Sequence, residues 1–175
     1  MSKTAAYARL AKSSKPAKSS IRPSFTLYRD NAKGTGAALA LRVIPAEVNQ
    51  SGYVQIEIAR QQTVGDLERR VYPTFNWKDR LLARLTPHEV GEVIQVFRGM
   101  KENIRDGAGF IHRTDGRSSK ITLVHVVEPR PCYQMKVFQD TIEGEDREVT
   151  IYIGMDEAFT LEMGLSASMG RLCFG

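Results

Sequence analysis

The sequence predicts an α+β fold of two four-stranded antiparallel β-sheets and two helices, in an internally repeated β4-α-β4-α order. Three observations predict it. Alternating strand residues run directly into a helix start over residues 78–90. The same grammar returns over residues 147–158. Several further segments with two-residue alternation precede each module. With 175 residues, 42% of them hydrophobic, the chain is long enough for one ordinary domain with a real core, placed at 23–175. A platform built twice from strands and a helix suits binding better than catalysis.

The first strand starts at Phe25, where Phe25, Leu27 and Arg29 alternate with Thr26 and Tyr28. A glycine-bearing turn follows over Asn31 to Gly36. Leu39, Leu41 and Val43 then face one way and Ala38, Ala40 and Arg42 the other, because strand side chains two apart share a face. Pro45 ends this strand and Gly52 opens a third. There Val54, Ile56 and Ile58 face inward, opposite Tyr53, Gln55 and Glu57. Residues 62–74 are polar and read as a loop. The fourth strand is expected over about Trp77–Leu85, with Leu81, Ala83 and Leu85 inward. Thr86-Pro87-His88-Glu89 is a strong helix start. The threonine hydroxyl can accept the third amide, proline suits the first helical position, and glutamate can reach back. Val90, Val93, Ile94 and Phe97 then form one apolar stripe, and Gly99 is the expected stop.

In the second half, strands are expected over Gly109–Thr114, Lys120–Glu128, Cys132–Gln139 and Arg147–Ile153. Asp115-Gly116 is a hairpin signal. Pro129 and Pro131 separate strands, and Glu143-Gly144-Glu145-Asp146 is an acidic turn. A last helix from about Met155 carries Ala158, Leu161, Leu165 and Met169 on one side.

Charge is unevenly spread. The net charge is +5, yet residues 1–22 hold Lys3, Arg9, Lys12, Lys15, Lys18 and Arg22 with no acid. Those six charges leave the remainder at −1. The reading is a flexible basic arm; a Ser/Ala-rich, acid-free start also fits an organelle transit peptide. No apolar run approaches the ~20 residues of a membrane-spanning helix, so no membrane partner is expected.

Catalytic chemistry is poorly supported. Cys132 and Cys173 make neither a disulfide framework nor a metal cluster, and read as two thiols in a reducing compartment. His88, His112 and His125 lack metal-ligand spacing, so no metal and no cofactor is expected. His88 falls in a helix first turn, where a cation opposes the dipole. Asn31-Ala32-Lys33-Gly34-Thr35-Gly36 has glycines like a phosphate loop but no helix after it, which makes it a hairpin turn. The acid pairs Glu89/Glu92 and Asp156/Glu157 sit in helix starts, where dipole and capping roles account for them. The chain is therefore read as a non-enzyme.

Single-stranded nucleic acid is held by rings and apolar faces for the bases and by cations for the phosphates. Outward-facing residues of both halves match that chemistry. The first half offers Arg42, Tyr53, Trp77, Lys78, Arg80 and Arg84; the second offers Arg113, Lys120, Tyr133, Lys136, Phe138 and Tyr152. Any one of them could be an ordinary strand or core residue. Their spread over strands of both halves carries the reading.

Several segments, in order over about residues 25–170, resemble the Whirly family of single-stranded DNA-binding proteins. Lys33-Gly34-Thr35-Gly36-Ala37-Ala38-Leu39 resembles that family's lysine-glycine-lysine-alanine-alanine-leucine turn, with Gly36 at the second lysine. Gly52 through Ile56 resembles its glycine-led third strand. Phe75-Asn76-Trp77-Lys78-Asp79-Arg80 follows the aromatic-Asp-Trp-Ser-Arg-Lys stretch in outline, with Asp79 within the basic run. Leu85 through Gly91, Phe110-Ile111-His112, Leu123 through Pro129 and Tyr133 through Gln139 follow the remaining pattern.

The resemblance implies a Whirly-like fold with sheets splayed like blades and helices at the centre of a homotetramer. Val90, Val93, Ile94, Phe97, Leu161, Leu165 and Met169 would then serve both folding and subunit packing. It implies binding of single-stranded DNA with little sequence specificity, in replication, repair, recombination or transcription, and adds Lys33 to the candidate contacts. Mitochondrial guide-RNA-binding proteins share this fold. An RNA-binding or annealing protein, or a ribonucleoprotein subunit, is therefore the alternative, followed by a structural assembly subunit. The expected location is cytoplasmic or nucleoid-associated, or else mitochondrial or in another organelle.

Overall fold

Strand alternation builds two sheets that share one core. The computed structural model describes residues 24–66, 68–114, 117–141 and 146–175. The basic arm, the Asp115-Gly116 turn and Glu143-Gly144-Glu145 lie outside the described residues. In the first half, β1 (Ser24–Arg29), β2 (Ala37–Ile44) and β3 (Tyr53–Thr63) are antiparallel neighbours, with Leu27 opposite Leu39 and Leu39 opposite Ile58. In the second half, β6 (Phe110–Thr114), β7 (Arg117–Val126), β8 (Cys132–Thr141) and β9 (Arg147–Gly154) form a four-stranded antiparallel meander.

The fourth position of the first sheet differs from the single strand expected over 77–85. It is split into β4 (Thr74–Phe75) and β5 (Leu81–Leu85), both on the free edge of β3. A 3-10 turn, Trp77–Asp79, interrupts them. Asn76 is the cause. Its side chain accepts the Asp79 amide and donates to the Asp79 carboxylate at 2.8 Å, so the chain turns instead of continuing the ladder. Trp77 and Lys78 therefore stand off the strand. Residues 62 and 63, expected in the loop, extend β3, and Thr74 is paired with Thr63.

α1 (Pro87–Phe97) begins and ends as its sequence signals require. Thr86 accepts the Glu89 amide, and Glu89 accepts the Thr86 amide at 2.8 Å. Gly99, at φ 69°, closes the helix, with its amide on Val96 and the Met100 amide on Gln95. Glu89 also meets His112 Nε2 at 2.8 Å, which fastens the helix start to β6. α2 (Met155–Phe174) has Glu157 at its third position accepting the Gly154 amide at 2.8 Å.

The inward residues of both sheets and the stripes of both helices form one apolar cluster. Val90, Val93, Ile94, Phe97, Leu161 and Leu165 are all buried in it, and Met169 packs against it. The helices' inner stripes are thus consumed within the protomer. Different apolar residues of α2 are exposed: Phe174 at its end, and Met155, Phe159 and Met163, at i, i+4 and i+8, on another face.

The glycine at the family's second turn lysine has a local reason. A Cβ on Gly36 would lie 2.0 Å from the Arg29 carbonyl oxygen and 2.4 Å from Gln61 Oε1. The same Gln61 oxygen accepts the Asn31 and Gly36 amides, each at 3.0 Å, and so closes the hairpin. Gly36→Ala is expected to lower stability by about 1–3 kcal/mol through overpacking, read as a lower denaturant midpoint.

Candidate nucleic-acid interface

Alternation sets the chemistry of each sheet's outer face. On the first sheet, Leu39, Ile56, Leu81 and their neighbours turn inward, which leaves Thr26, Ala40 and Glu57 in register on the other face. Next to that row, Arg42, Gln55 and Arg84 are also in register. The Trp77 turn adds to this face from the side. Together Thr26, Tyr28, Ala40, Arg42, Glu57, Trp77 and Arg80 line an open depression of about 400 Å³. Ala40 carries nothing beyond Cβ, and this leaves room above it. Tyr28 is exposed and tilts against Phe75, with ring centroids 5.3 Å apart.

A buried carboxylate organises this depression. Glu57 is only 4% exposed. Its Oε1 lies 3.3 Å from Arg42 Nε and accepts from Gln55 Nε2 at 2.9 Å. Its Oε2 lies 2.7 Å from Arg80 Nε, a charge contact without hydrogen-bond alignment. Arg80 Nη1 donates to the Trp77 carbonyl at 2.7 Å. Beside this cluster, the Arg84 guanidinium lies 4.7 Å over the Tyr53 ring, a cation–π contact.

The second sheet presents a comparable face. Lys120, Phe138 and Glu148 are in register across β7, β8 and β9; Thr122, Lys136 and Thr150 form the next row. Lys120, Lys136, Phe138 and Glu148 line a second depression of about 570 Å³. Its rim is the 3-10 segment Ile104–Gly107, where Arg105 and Asp106 both sit at φ 51°. Such left-handed residues are unfavourable without support. Glu92 supplies it by accepting the Arg105 amide at 2.7 Å and Lys101 Nζ at 3.1 Å.

A seam joins the two sheets. Arg29 Nε donates to the Tyr152 carbonyl at 3.1 Å, Arg60 Nη2 to the Glu148 carbonyl at 2.8 Å, and Arg147 to the Asp79 carbonyl. Arg60, Asn76, Asp79 and Arg147 line a third depression there, of about 370 Å³.

The residues read from sequence fall into distinct groups. Arg42, Trp77 and Arg80 come together in the first depression, with Tyr53 and Arg84 paired beside them. Lys120, Lys136 and Phe138 come together in the second. Tyr152 is exposed one row away, and its hydroxyl accepts from Gln134 Nε2 at 2.8 Å. Lys33, Lys78 and Arg113 are exposed outside these depressions.

Tyr133 requires correction. Its expected outward position is not found: it is 1% exposed, and its hydroxyl donates to the Phe97 carbonyl at 3.2 Å. The alternation of β8 explains this, because Tyr133 shares a face with the buried Met135 and Val137. Burial pushes its phenol pKa above the ordinary value. Tyr28, Glu57, Arg60 and Arg147 were not among the residues picked from sequence. Alternation places Glu57 beside Arg42 and could have flagged it. The seam arginines act between sheets, which no local pattern encodes.

Two antiparallel sheets in this order, packed with two helices around one core, define a Whirly-like fold. Among solved structures, the chain is similar to WHY1 from Arabidopsis thaliana, with 13% identity over 88% of this chain and 86% of that one, TM-score 0.67. The plant transcriptional regulator PBF-2 matches at 14% identity, over 87% and 82%, TM-score 0.69. WHY3 from Arabidopsis thaliana matches at 14% identity, over 86% and 88%, TM-score 0.63. No family model and no curated protein matches the sequence. At these identities the likeness is one of fold.

Proposed function

We propose that this chain binds single-stranded DNA with little sequence specificity and acts in replication, repair, recombination or transcription. The carrying observation is that each sheet gathers rings and cations in one depression of its outer face. Trp77 and Tyr28 stand with Arg42 and Arg80 on the first sheet, and Phe138 stands with Lys120 and Lys136 on the second. Rings can stack on bases of any identity, and the cations can take phosphates. The likeness to a plant transcriptional regulator supports a role in DNA transactions.

The assembly reading is a homotetramer. The exposed Met155, Phe159 and Met163 ridge on α2 supports it, since an apolar helix face on the surface suits a second copy of the same face.

The test is fluorescence anisotropy of the full chain with labelled oligo-dT, a duplex of equal length and a matched RNA strand, together with the mass of the particle. The expected result is saturable binding to oligo-dT, far weaker binding to duplex, and a mass of about four chains. Equal affinity for duplex and single strand rejects the reading, and a marked preference for RNA transfers it to the RNA-binding alternative. Removing residues 1–22 should leave oligo-dT binding in place. Its complete loss would assign binding to the arm and leave the sheets as an assembly scaffold.

A further inference from the structure

We propose that Glu57 is a positioning residue that sets how the first sheet's face divides its affinity between bases and phosphates; this rests on the single-strand reading above. A carboxylate in the middle of a face that meets a polyanion opposes binding by its charge. Burial makes it costlier still unless cations flank it. Here two do. Arg42 lies 3.3 Å from one oxygen and Arg80 2.7 Å from the other. Three consequences follow from that geometry. The cluster of two guanidiniums and one carboxylate carries a single net positive charge. Both arginines are held against the sheet by the same buried group. Through the Arg80 bond to the Trp77 carbonyl, the turn that carries the indole is tied to the same point. Glu57 thus removes part of the phosphate attraction of this depression and in return fixes the rings and planar guanidiniums on which bases stack. The second sheet has no such keystone, since Glu148 there is half exposed and lies 3.7 Å from Lys136.

The test compares the unaltered full chain with Glu57→Gln and with the double variant Arg42→Gln/Glu57→Gln. Oligo-dT affinity is measured over a salt series, and circular dichroism checks the fold. Glu57→Gln keeps the side chain's size and removes its charge. One more effective cation then faces the strand, so the slope of log affinity against log salt should steepen by about 0.7. The double variant restores the original net charge, and its slope should return to that of the unaltered chain. Circular dichroism of Glu57→Gln should match that of the unaltered chain. Trp77 is the sole tryptophan, so its emission reports the turn directly. Unliganded Glu57→Gln should show a shift toward solvent-exposed indole. A folded Glu57→Gln with unchanged slope overturns the role of Glu57. A double variant whose slope falls below the original does the same, even where the single variant does not fold. Failure of the unaltered chain to bind oligo-dT overturns the function itself and is recognised before any variant is made.

Discussion

Tyr133→Ala will destabilise the domain by about 3–5 kcal/mol, the range for removing a large ring from a packed core. Tyr133 meets Phe97 edge-on with centroids 5.0 Å apart and stacks on His125 at 4.9 Å. It therefore joins the start of β8 to the end of α1. Tyr133→Phe keeps the ring and removes only the bond to the Phe97 carbonyl, which costs about 1 kcal/mol. Denaturant unfolding read by circular dichroism separates the two. The phenol also carries a pH signature. Its folded pKa is raised by burial, so its ionisation is disfavoured in the native state. The stability it lends is complete below the ordinary tyrosine pKa of about 10 and declines as pH rises through the higher folded value. Tyr133→Phe should lack that alkaline decline. Because the ring is buried, Tyr133→Phe should leave oligo-dT affinity unchanged; a clear loss would reinstate Tyr133 as a contact.

Trp77→Ala is expected to weaken oligo-dT binding by about 1–3 kcal/mol, the range for one base stacked on an aromatic ring. That is roughly 5- to 150-fold in Kd. Trp77→Phe should retain most of the affinity, because a smaller ring still offers a π-face. The salt slope should hardly move in either variant, since no phosphate partner is lost. The ring lies outside the core cluster, so unfolding should change far less than for Tyr133→Ala. Anisotropy across a salt series checks the affinities and the slope, and denaturant unfolding checks the stability. An affinity for Trp77→Ala equal to that of the unaltered chain would remove the first depression from the binding path.

Elements were legible where one period governs a whole segment. Val54, Ile56 and Ile58 alternate, and they are buried as read. The Thr86-to-Glu89 start and the Gly99 stop of α1 depend on side chains within a few residues of each other, and both occur as the sequence implies. The break in the fourth strand was missed because it depends on one asparagine folding back on Asp79, a polar contact that hydropathy alternation does not register. For Tyr133 the aromatic chemistry that suits a base and the parity of its strand point opposite ways, and parity decides: Met135 and Val137, two and four positions on, put its face inside. Strand parity alone puts Arg42 and Phe138 on the outer faces. The pairing of Arg42 and Arg80 on Glu57 and the reach of Arg60 and Arg147 across the seam arise only when separate segments meet.

The split between β4 and β5 also bears on how the molecule avoids its own kind. A long bare strand edge offers a row of unpaired amides and carbonyls that invites another chain to add itself. Here the outer rim beyond β3 is two residues, a turn and then five residues, with Lys78 and Asp79 exposed at the break. An incoming strand finds no straight rail to zip along and meets charge where the rail stops. The same interruption that sets an indole beside the first depression thus guards against runaway polymerisation.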